Sequence, residues 1–157
     1  MFNKIVAHYP CRFIAVGANE IDFENTIVET VKWTETTEIS LIQNFDIGIM
    51  PLHDTPWENG KCGYKLIQCM ACGIPVVASN VGVNSSIISH NFDGYLVNSH
   101  EEWVSYLSDL ILNPTKRFNM GQSGRDKILD KYSLQIQSGI FINIIQEVFN
   151  DSKQSIK

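Results

Sequence analysis

Residues suited to holding phosphate are concentrated in one short segment, residues 57–77. Lys61 and Lys65 stand about one helical turn apart, and Gly60 and Gly63 stand where a helix is expected to begin. The first backbone N–H groups of a helix lack partners within it, and the helix dipole makes that end positive. Glycines let a ligand approach the backbone, and two ammonium groups add charge. The segment therefore predicts a phosphate site at the start of a helix.

The predicted helix begins at Lys61 and has a polar face and an apolar face. The polar face consists of Lys61, Lys65, Gln68 and Cys72, and the apolar face of Leu66, Ile67 and Met70. Lysines on a helix are usually solvated, so the alternative is that both lysines face water and the glycines only break the chain. The segment matches neither a Walker A loop nor a G-x-G-x-x-G fingerprint.

Length and composition indicate one ordinary globular domain, residues 1–150, followed by a frayed tail, residues 151–157. The chain has 157 residues, 44% of them hydrophobic and 18% charged, with a net charge of −5. This balance and the lack of a basic block argue against nucleic-acid binding. Cys69 and Cys72 form a lone C-x-x-C pair without a second ligand pair, so we expect no metal and small, buried, reduced cysteines. With no apolar run of membrane-spanning length and no signal-peptide pattern, a cytoplasmic protein is expected.

Apolar strands alternate with helical segments, which predicts a Rossmann-like parallel sheet covered by helices, with a helical C-terminal end. The five predicted strands are residues 12–17, 27–33, 46–51, 76–79 and 94–98, and Ser99 is expected to cap the first of the final helices. Such sheets bind ligands at the carboxyl ends of their strands. Trp33 ends the second strand and could stack on a nucleobase or pack in the core. Asn84 is expected to cap a short helix after the fourth strand.

The stretch from Asp46 to Asn98 resembles the C-terminal, donor-binding half of the retaining family 4 glycosyltransferases of GT-B fold. The resemblance rests on four strings: DIGIMPL, GKCGYKLIQCMACGIPVVASNVG, NSSII and DGYLVN. It implies binding of a nucleotide-diphospho-sugar donor in a cleft between two Rossmann-like domains. It also implies sugar transfer to a glycan or glycolipid acceptor, as in polysaccharide biosynthesis, without an obligatory metal or other cofactor.

Two positions depart from the family's pattern, in which one glutamate touches the donor sugar and a second, eight residues later, touches the ribose. Here these positions are Gly60 and Gln68. Gln68 can still bond a ribose hydroxyl through its amide, and Lys61 and Lys65 could face the diphosphate. Glu58, in the loop before the helix, could partly replace the missing acid or simply be solvated. No catalytic residue is assigned, and the donor-binding candidates are Trp33, Glu58, Gly60, Lys61, Gly63, Lys65 and Gln68.

The resemblance also implies that the first strand of the family's C-terminal domain and the whole N-terminal acceptor domain are absent. The chain is therefore expected to be inactive alone and to need that domain in cis or in trans, at the inner face of the membrane through the full-length enzyme. A parallel sheet lacking an inner strand predicts a homodimer or a strand taken from a neighbour. The alternative function, favoured by the loss of both glutamates, is a non-catalytic partner subunit or interaction module.

Overall fold

The computed structural model describes residues 2–154, without the side chains of residues 20, 21 and 152–154. Strands alternate with helices in the first two thirds, and three long helices follow. The strands are β1 (Phe13–Val16), β2 (Val28–Val31), β3 (Gly48–Met50), β4 (Val76–Ser79) and β5 (Gly94–Val97). The helices are α1 (Phe2–Val6), α2 (Glu38–Gln43), α3 (Pro56–Asn59), α4 (Tyr64–Ala71), α5 (Asn84–Ile87), α6 (His100–Leu112), α7 (Pro114–Lys131) and α8 (Leu134–Gln154), and Glu20–Phe23 form a 3₁₀ turn.

All strand pairs are parallel, and the strands form two sheets instead of one. β1 pairs with β2, with Phe13 opposite Val28, and the second sheet has the order β3-β4-β5, with Gly48 opposite Val76. The predicted α/β fold with a parallel sheet and a helical C-terminal end is confirmed. The five strands fall where the apolar runs predicted them, each with shorter or equal bounds.

The hydrophobic core has two halves, one on each face of β4, because successive strand residues point to opposite faces. Val77 belongs to the half that packs against α1 and α6, together with Leu107 and Leu110. Val76 belongs to the half that packs against α4 and α7, together with Leu66. All four residues of β4 are buried, as expected for the central strand of a parallel sheet covered on both faces.

The segment before α4 differs from its prediction. Glu58, predicted to lie in a loop, lies in helix α3, which begins at Pro56 after the extended residue Thr55, and proline suits the first position of a helix. The predicted helix from Lys61 begins at Tyr64, because Gly63 has a left-handed backbone with φ of +68°. Lys61 therefore lies in the turn between α3 and α4, and the two lysines do not share one helix.

The caps of two later helices were predicted with different success. The Ser99 hydroxyl accepts a hydrogen bond of 3.2 Å from the Glu102 N–H, so the predicted cap of α6 is confirmed. Asn84 does not cap α5, since the capping position is Val83. Instead, the buried Asn84 amide donates a hydrogen bond of 2.9 Å to the Ser79 carbonyl at the end of β4.

The last helix, α8, carries many apolar side chains that are exposed to solvent. Those exposed by more than a third are Leu134, Ile136, Ile140, Phe141, Ile142, Ile144, Ile145, Val148 and Phe149. The helix crosses the predicted domain boundary at residue 150 and continues to Gln154, while residues 155–157 of the predicted tail lie outside the described part. Between residues 2 and 154, no helix combines the length and apolarity needed to cross a membrane.

Candidate functional site

Four side chains from three elements form a hydrogen-bonded group, which we call the Glu38 cluster: Trp33, Glu38, Lys65 and Gln68. The indole N–H of Trp33 donates to Glu38 Oε1 over 3.0 Å. Lys65 Nζ donates to the same Glu38 oxygen over 2.7 Å and to Gln68 Oε1 over 3.0 Å. Three of the four were predicted as site residues, and the structure brings these three together around a carboxylate that was not.

Each element positions its member of the cluster by simple geometry. Trp33 follows the end of β2, and Glu38 is the first residue of α2. Lys65 and Gln68 are three residues apart on α4, so both project from the same face of that helix. The carboxyl end of a strand, the start of one helix and the start of another therefore meet at one point.

The Glu38 carboxylate is fully ionised at neutral pH. Hydrogen bonds, first from Lys65 and then from Trp33 and Gln68, lower its pKa to about 2. The Glu38 side chain is 17% exposed, whereas that of Lys65 is 62% exposed. Gln68 is buried, with 7% exposure. The cluster thus holds a covered negative charge beneath an accessible ammonium group.

Two cavities adjoin the cluster. One of about 710 Å³ lies at the carboxyl ends of β1 and β2 and is lined by Gly17, Thr30 and Trp33, among others. A larger one of about 1190 Å³ lies between the two sheets, and Trp33, Glu38 and Lys65 contribute to its wall. Because Trp33 lines both cavities and is 47% exposed, its indole offers a flat surface beside the ammonium group of Lys65.

Gly63 is required at the start of α4 by both its backbone and its surroundings. Its φ of +68° disfavours any residue with a side chain, and an added Cβ would lie 2.3 Å from Ile87 Cδ1. The close approach that this glycine permits is therefore to α5, at a buried position. The N–H groups of Tyr64 and Lys65 precede the first hydrogen bond of the helix, which Leu66 donates to the Gly63 carbonyl over 3.0 Å.

The remaining predicted site residues lie together on and after α3. Gly60 is the exposed residue directly after Asn59, the last residue of that helix, and Lys61 is exposed in the turn that follows. The Glu58 carboxylate accepts a hydrogen bond from the Thr55 hydroxyl, which lowers its pKa. Among the described residues, no hydrogen bond or ion pair joins these three to the Glu38 cluster. Their role in donor binding remains a prediction.

Sequence reasoning missed Glu38 as a site residue. In the sequence it is simply an acid at the start of a helix, where carboxylates are common because of the helix dipole. Its partner Lys65 is 27 residues away, and no local pattern links the two. The available signal was an acidic residue in the first turn of the helix that follows a strand, but this signal does not identify the residue with which the acid pairs.

The four cysteines are free thiols, and they differ in exposure. The prediction that all four are buried is wrong, because Cys62 is exposed in the turn before α4 and the other three are only partly buried. Burial raises the pKa of Cys69 to about 11, so this thiol is protonated and unreactive at neutral pH.

Within residues 2–154, no group of three or more His, Cys, Asp or Glu side chains is placed to hold a metal ion.

The parallel strands, the covering helices and the cavities at the strands' carboxyl ends define a Rossmann-like α/β fold, a class that binds its ligands at these strand ends. A sequence model of the family described as "Glycosyl transferases group 1" matches residues 1–113, and the chain belongs to this family. A GDP-Man:Man(3)GlcNAc(2)-PP-Dol alpha-1,2-mannosyltransferase of Dictyostelium discoideum is 23% identical over 136 residues, covering 86% of this chain and 26% of that protein.

Solved structures show the same fold. The C-terminal domain of LpcC, a group 1 glycosyl transferase of Francisella tularensis, matches with a TM-score of 0.59 and 24% identity, covering 70% of this chain and 56% of that one. HepE of Anabaena, solved with UDP-glucose, matches with a TM-score of 0.61 and 19% identity, covering 81% and 34%. The resemblance to the C-terminal half of a GT-B glycosyltransferase is confirmed. The chain spans only about a quarter of its Dictyostelium relative.

Proposed function

We propose that this chain is the nucleotide-diphospho-sugar-binding part of a retaining glycosyltransferase, with the diphosphate held by Lys65. The observation that carries the proposal is the position of the Glu38 cluster beside two cavities at the carboxyl ends of parallel strands. The related HepE protein was solved with UDP-glucose, which supports a donor of this chemical class.

Lys65 has the capacity to bind a phosphate without leaving its present partners. An ammonium group has three N–H donors, and Glu38 and Gln68 occupy two of them. The third donor, on a largely exposed side chain, is available to a phosphate oxygen. The leaving nucleoside diphosphate gains negative charge during sugar transfer, so a fixed ammonium group would stabilise the transition state.

The other members of the cluster fit the remaining parts of a nucleotide. The half-exposed Trp33 indole can stack on the base. Glu38 stands next to Gln68, the position where the family has a ribose-binding glutamate, and an ionised carboxylate accepts hydroxyl hydrogen bonds. In this proposal Glu38 supplies, from another helix, the carboxylate that position 68 lacks. No metal or other cofactor is required.

The proposal assigns acceptor binding to a second domain, in cis or in trans, and the acceptor to the class of glycans or glycolipids, as in polysaccharide biosynthesis. The exposed apolar side chains of α8 support the presence of this second domain, because contiguous apolar surface of this kind usually marks an interaction site. Alone, the chain would bind donor without efficient transfer, since catalysis needs both halves of the cleft.

The same proposal includes a cytoplasmic location, at the inner face of the membrane through the full-length enzyme. The four free cysteines support this location, because free thiols are usual in reducing compartments.

Calorimetric titration with UDP, GDP and ADP tests this function. We expect one diphosphate to bind wild type. The Lys65→Ala variant should lose about tenfold in affinity or more, because a charge-assisted hydrogen bond contributes about 1.5–3 kcal/mol. Gln68→Ala should also bind more weakly. Lys131→Ala is the matched control, since this exposed lysine lines neither cavity and should leave affinity unchanged.

The second candidate is a non-catalytic partner subunit. It is favoured by Gly60, which is exposed and has no side chain at the position where the family's first glutamate touches the sugar. The same titration separates the two functions. Binding to none of the three diphosphates, by a chain whose circular dichroism shows a folded state, would contradict the donor-binding proposal and favour the partner subunit.

A further inference from the structure

The side chain of Trp33 separates two compartments of the candidate site, because it lines both cavities. Its indole N–H donates to Glu38 Oε1 over 3.0 Å, which fixes the ring beside the Glu38 cluster. Lys65, the proposed ligand of the diphosphate, lines the larger cavity. A nucleotide with its diphosphate at Lys65 and its base stacked on Trp33 would therefore extend the edge of the base into the smaller cavity. The volume of that cavity, about 710 Å³, is typical of small-molecule sites, which measure about 300–1,000 Å³.

The turn after β1 builds one wall of the smaller cavity. Gly17 follows β1 with a left-handed backbone, φ of +74°, and an added Cβ would lie 3.0 Å from Trp33 Cβ. The chain then enters the 3₁₀ turn Glu20–Phe23, in which the Asp22 N–H donates to the Asn19 carbonyl over 3.2 Å. Asn19 and Asp22 thereby line the same cavity as Trp33.

The lining of the smaller cavity includes polar groups of both charges. Asp22 contributes a carboxylate, Asn19 an amide, and Lys32, the first residue after β2, an ammonium group. These three residues are exposed. No hydrogen bond or ion pair with another described residue engages their side chains. Their donors and acceptors are therefore available to a ligand.

These groups complement the edge of guanine. A carboxylate only accepts hydrogen bonds, and an ammonium group only donates them. Guanine has two adjacent donors, N1–H and the N2 amine, and two adjacent acceptors, O6 and N7, to which lysine commonly donates.

The other common bases fit a carboxylate less well. Uracil has one ring N–H between two carbonyl oxygens, and adenine has an acceptor at N1 and no amine at C2. Each of these bases would place an acceptor next to the acceptor oxygens of Asp22, which is repulsive. Asp22 therefore distinguishes guanine from both.

We propose that the smaller cavity selects guanine, with Asp22 accepting hydrogen bonds from N1–H and the N2 amine and Lys32 donating to O6 or N7. This inference rests on the proposed donor-binding function and narrows the donor to a GDP-sugar. Trp33 stacks on the face of the base and contributes affinity for any base, whereas Asp22 supplies the discrimination. A site built to bond particular donors rejects an analogue that lacks them, because the groups of the site are then left unpaired.

Calorimetric titration of the full chain with GDP, inosine diphosphate, UDP and ADP tests the selection. Inosine diphosphate is the sharpest probe, because its base is guanine without the N2 amine. We expect GDP to bind about tenfold more tightly than inosine diphosphate, since one hydrogen bond to the Asp22 carboxylate is lost. UDP and ADP should bind at least as weakly as inosine diphosphate.

Asp22→Asn should reverse the preference for the group at C2 of the base. The amide of asparagine replaces one acceptor by a donor. Xanthosine diphosphate has a carbonyl oxygen at C2, where guanine has its amine, and this oxygen can accept from that donor. The variant should bind xanthosine diphosphate about tenfold more tightly than GDP, and wild type should show the opposite order. A gain of affinity for one ligand cannot result from a failure to fold.

Two further variants separate the roles of the charges. Glu24→Gln removes the same charge as Asp22→Asn, two residues along the chain, from an exposed residue outside the lining of both cavities. It should keep the wild-type order of affinities. Lys32→Met should weaken GDP and inosine diphosphate by the same factor, about threefold or more, because both bases have O6 and N7. The ratio of their affinities should stay as in wild type.

The outcomes distinguish this inference from the proposed function on which it rests. Binding of none of the diphosphates by the folded chain would overturn both. Binding of UDP, ADP or inosine diphosphate as tightly as GDP would overturn the selection of guanine and leave the donor-binding function standing. An Asp22→Asn variant that still prefers GDP to xanthosine diphosphate would also overturn the role of Asp22.

Discussion

At the scale of single residues, one carboxylate organises the candidate site. Glu38 receives hydrogen bonds from Trp33 and Lys65, and these bonds hold an aromatic ring, an ammonium group and the Gln68 amide in fixed relation. A lysine that is held in this way loses less conformational freedom on binding an anion than a free surface lysine does. Glu38 therefore positions Lys65 in the proposed donor site, in addition to the ribose contact proposed for its own carboxylate.

The ionisation of Glu38 predicts a specific pH dependence of stability. Its pKa is lowered to about 2 in the folded chain, from an ordinary value near 4.5. The stabilisation from the ionised form is thus fully present above about pH 4.5 and is lost as the pH falls towards 2. The free energy of unfolding of wild type should exceed that of Glu38→Gln by a constant amount above this range, and the difference should shrink on acidification.

Urea unfolding at a series of pH values measures this difference. The matched control is Glu35→Gln, which neutralises an exposed acid just before α2. Its difference from wild type should show no comparable loss between pH 4.5 and 2. A Glu38→Gln difference that stays constant down to pH 2 would show that the Lys65 and Trp33 bonds do not form in solution.

At the scale of elements, the packing of α7 against the turn after α4 depends on one glycine. An added Cβ at Gly121 would lie 2.0 Å from the Gly73 carbonyl oxygen and 3.2 Å from Pro75 Cδ. Backbone and ring atoms cannot move aside as a flexible side chain can. The helix reaches this contact only because position 121 has no side chain, and the contact fixes the turn that leads into β4.

We therefore expect Gly121→Ala to lower the free energy of unfolding by about 2–3 kcal/mol, because the two elements must separate. Gly139→Ala is the matched control, since no atom lies within 4 Å of an added Cβ on the exposed helix α8. That change should stabilise by about 0.5–1 kcal/mol through the helix propensity of alanine. Denaturant unfolding measures both, and a neutral Gly121→Ala would contradict the close packing of α7.

At the scale of the whole molecule, apolar groups are open in two places. One is the cavity of about 1190 Å³ between the two sheets, and the other is the exposed apolar surface of α8. The covered core around β4 is complete, so the open surfaces should affect association more than folding.

Replacing part of the α8 surface should separate these two properties. Phe141, Ile145 and Val148 lie on one side of the helix and are already more than half exposed. Changing all three to Gln should raise the temperature at which light scattering reports aggregation. It should alter the free energy of unfolding by less than about 0.5 kcal/mol for each residue.

The control for the α8 change is Leu110→Gln, which buries a polar amide at a fully covered position. It should cost about 3 kcal/mol or more. A loss of similar size from the α8 variant would show that α8 packs against the rest of the chain.

The sequence by itself determined the elements of this protein and most of its candidate residues. The apolar runs predicted all five strands, and the strings around Lys65 and Gln68 identified the family, because strand and helix periodicity and motif spacing are local properties. Local signals also misled at the start of α4, where the backbone of Gly63 delays the helix.

Only the tertiary structure decided which of these residues meet. Glu38 and Lys65 are 27 residues apart, and nothing in either segment indicates the other. The split of the sheet was likewise decided by tertiary structure, because β1 and β3 have ordinary strand sequences whose pairing depends on which neighbours are present. Contacts between distant segments depend on how the helices pack on the sheet, and that packing is a property of the whole chain.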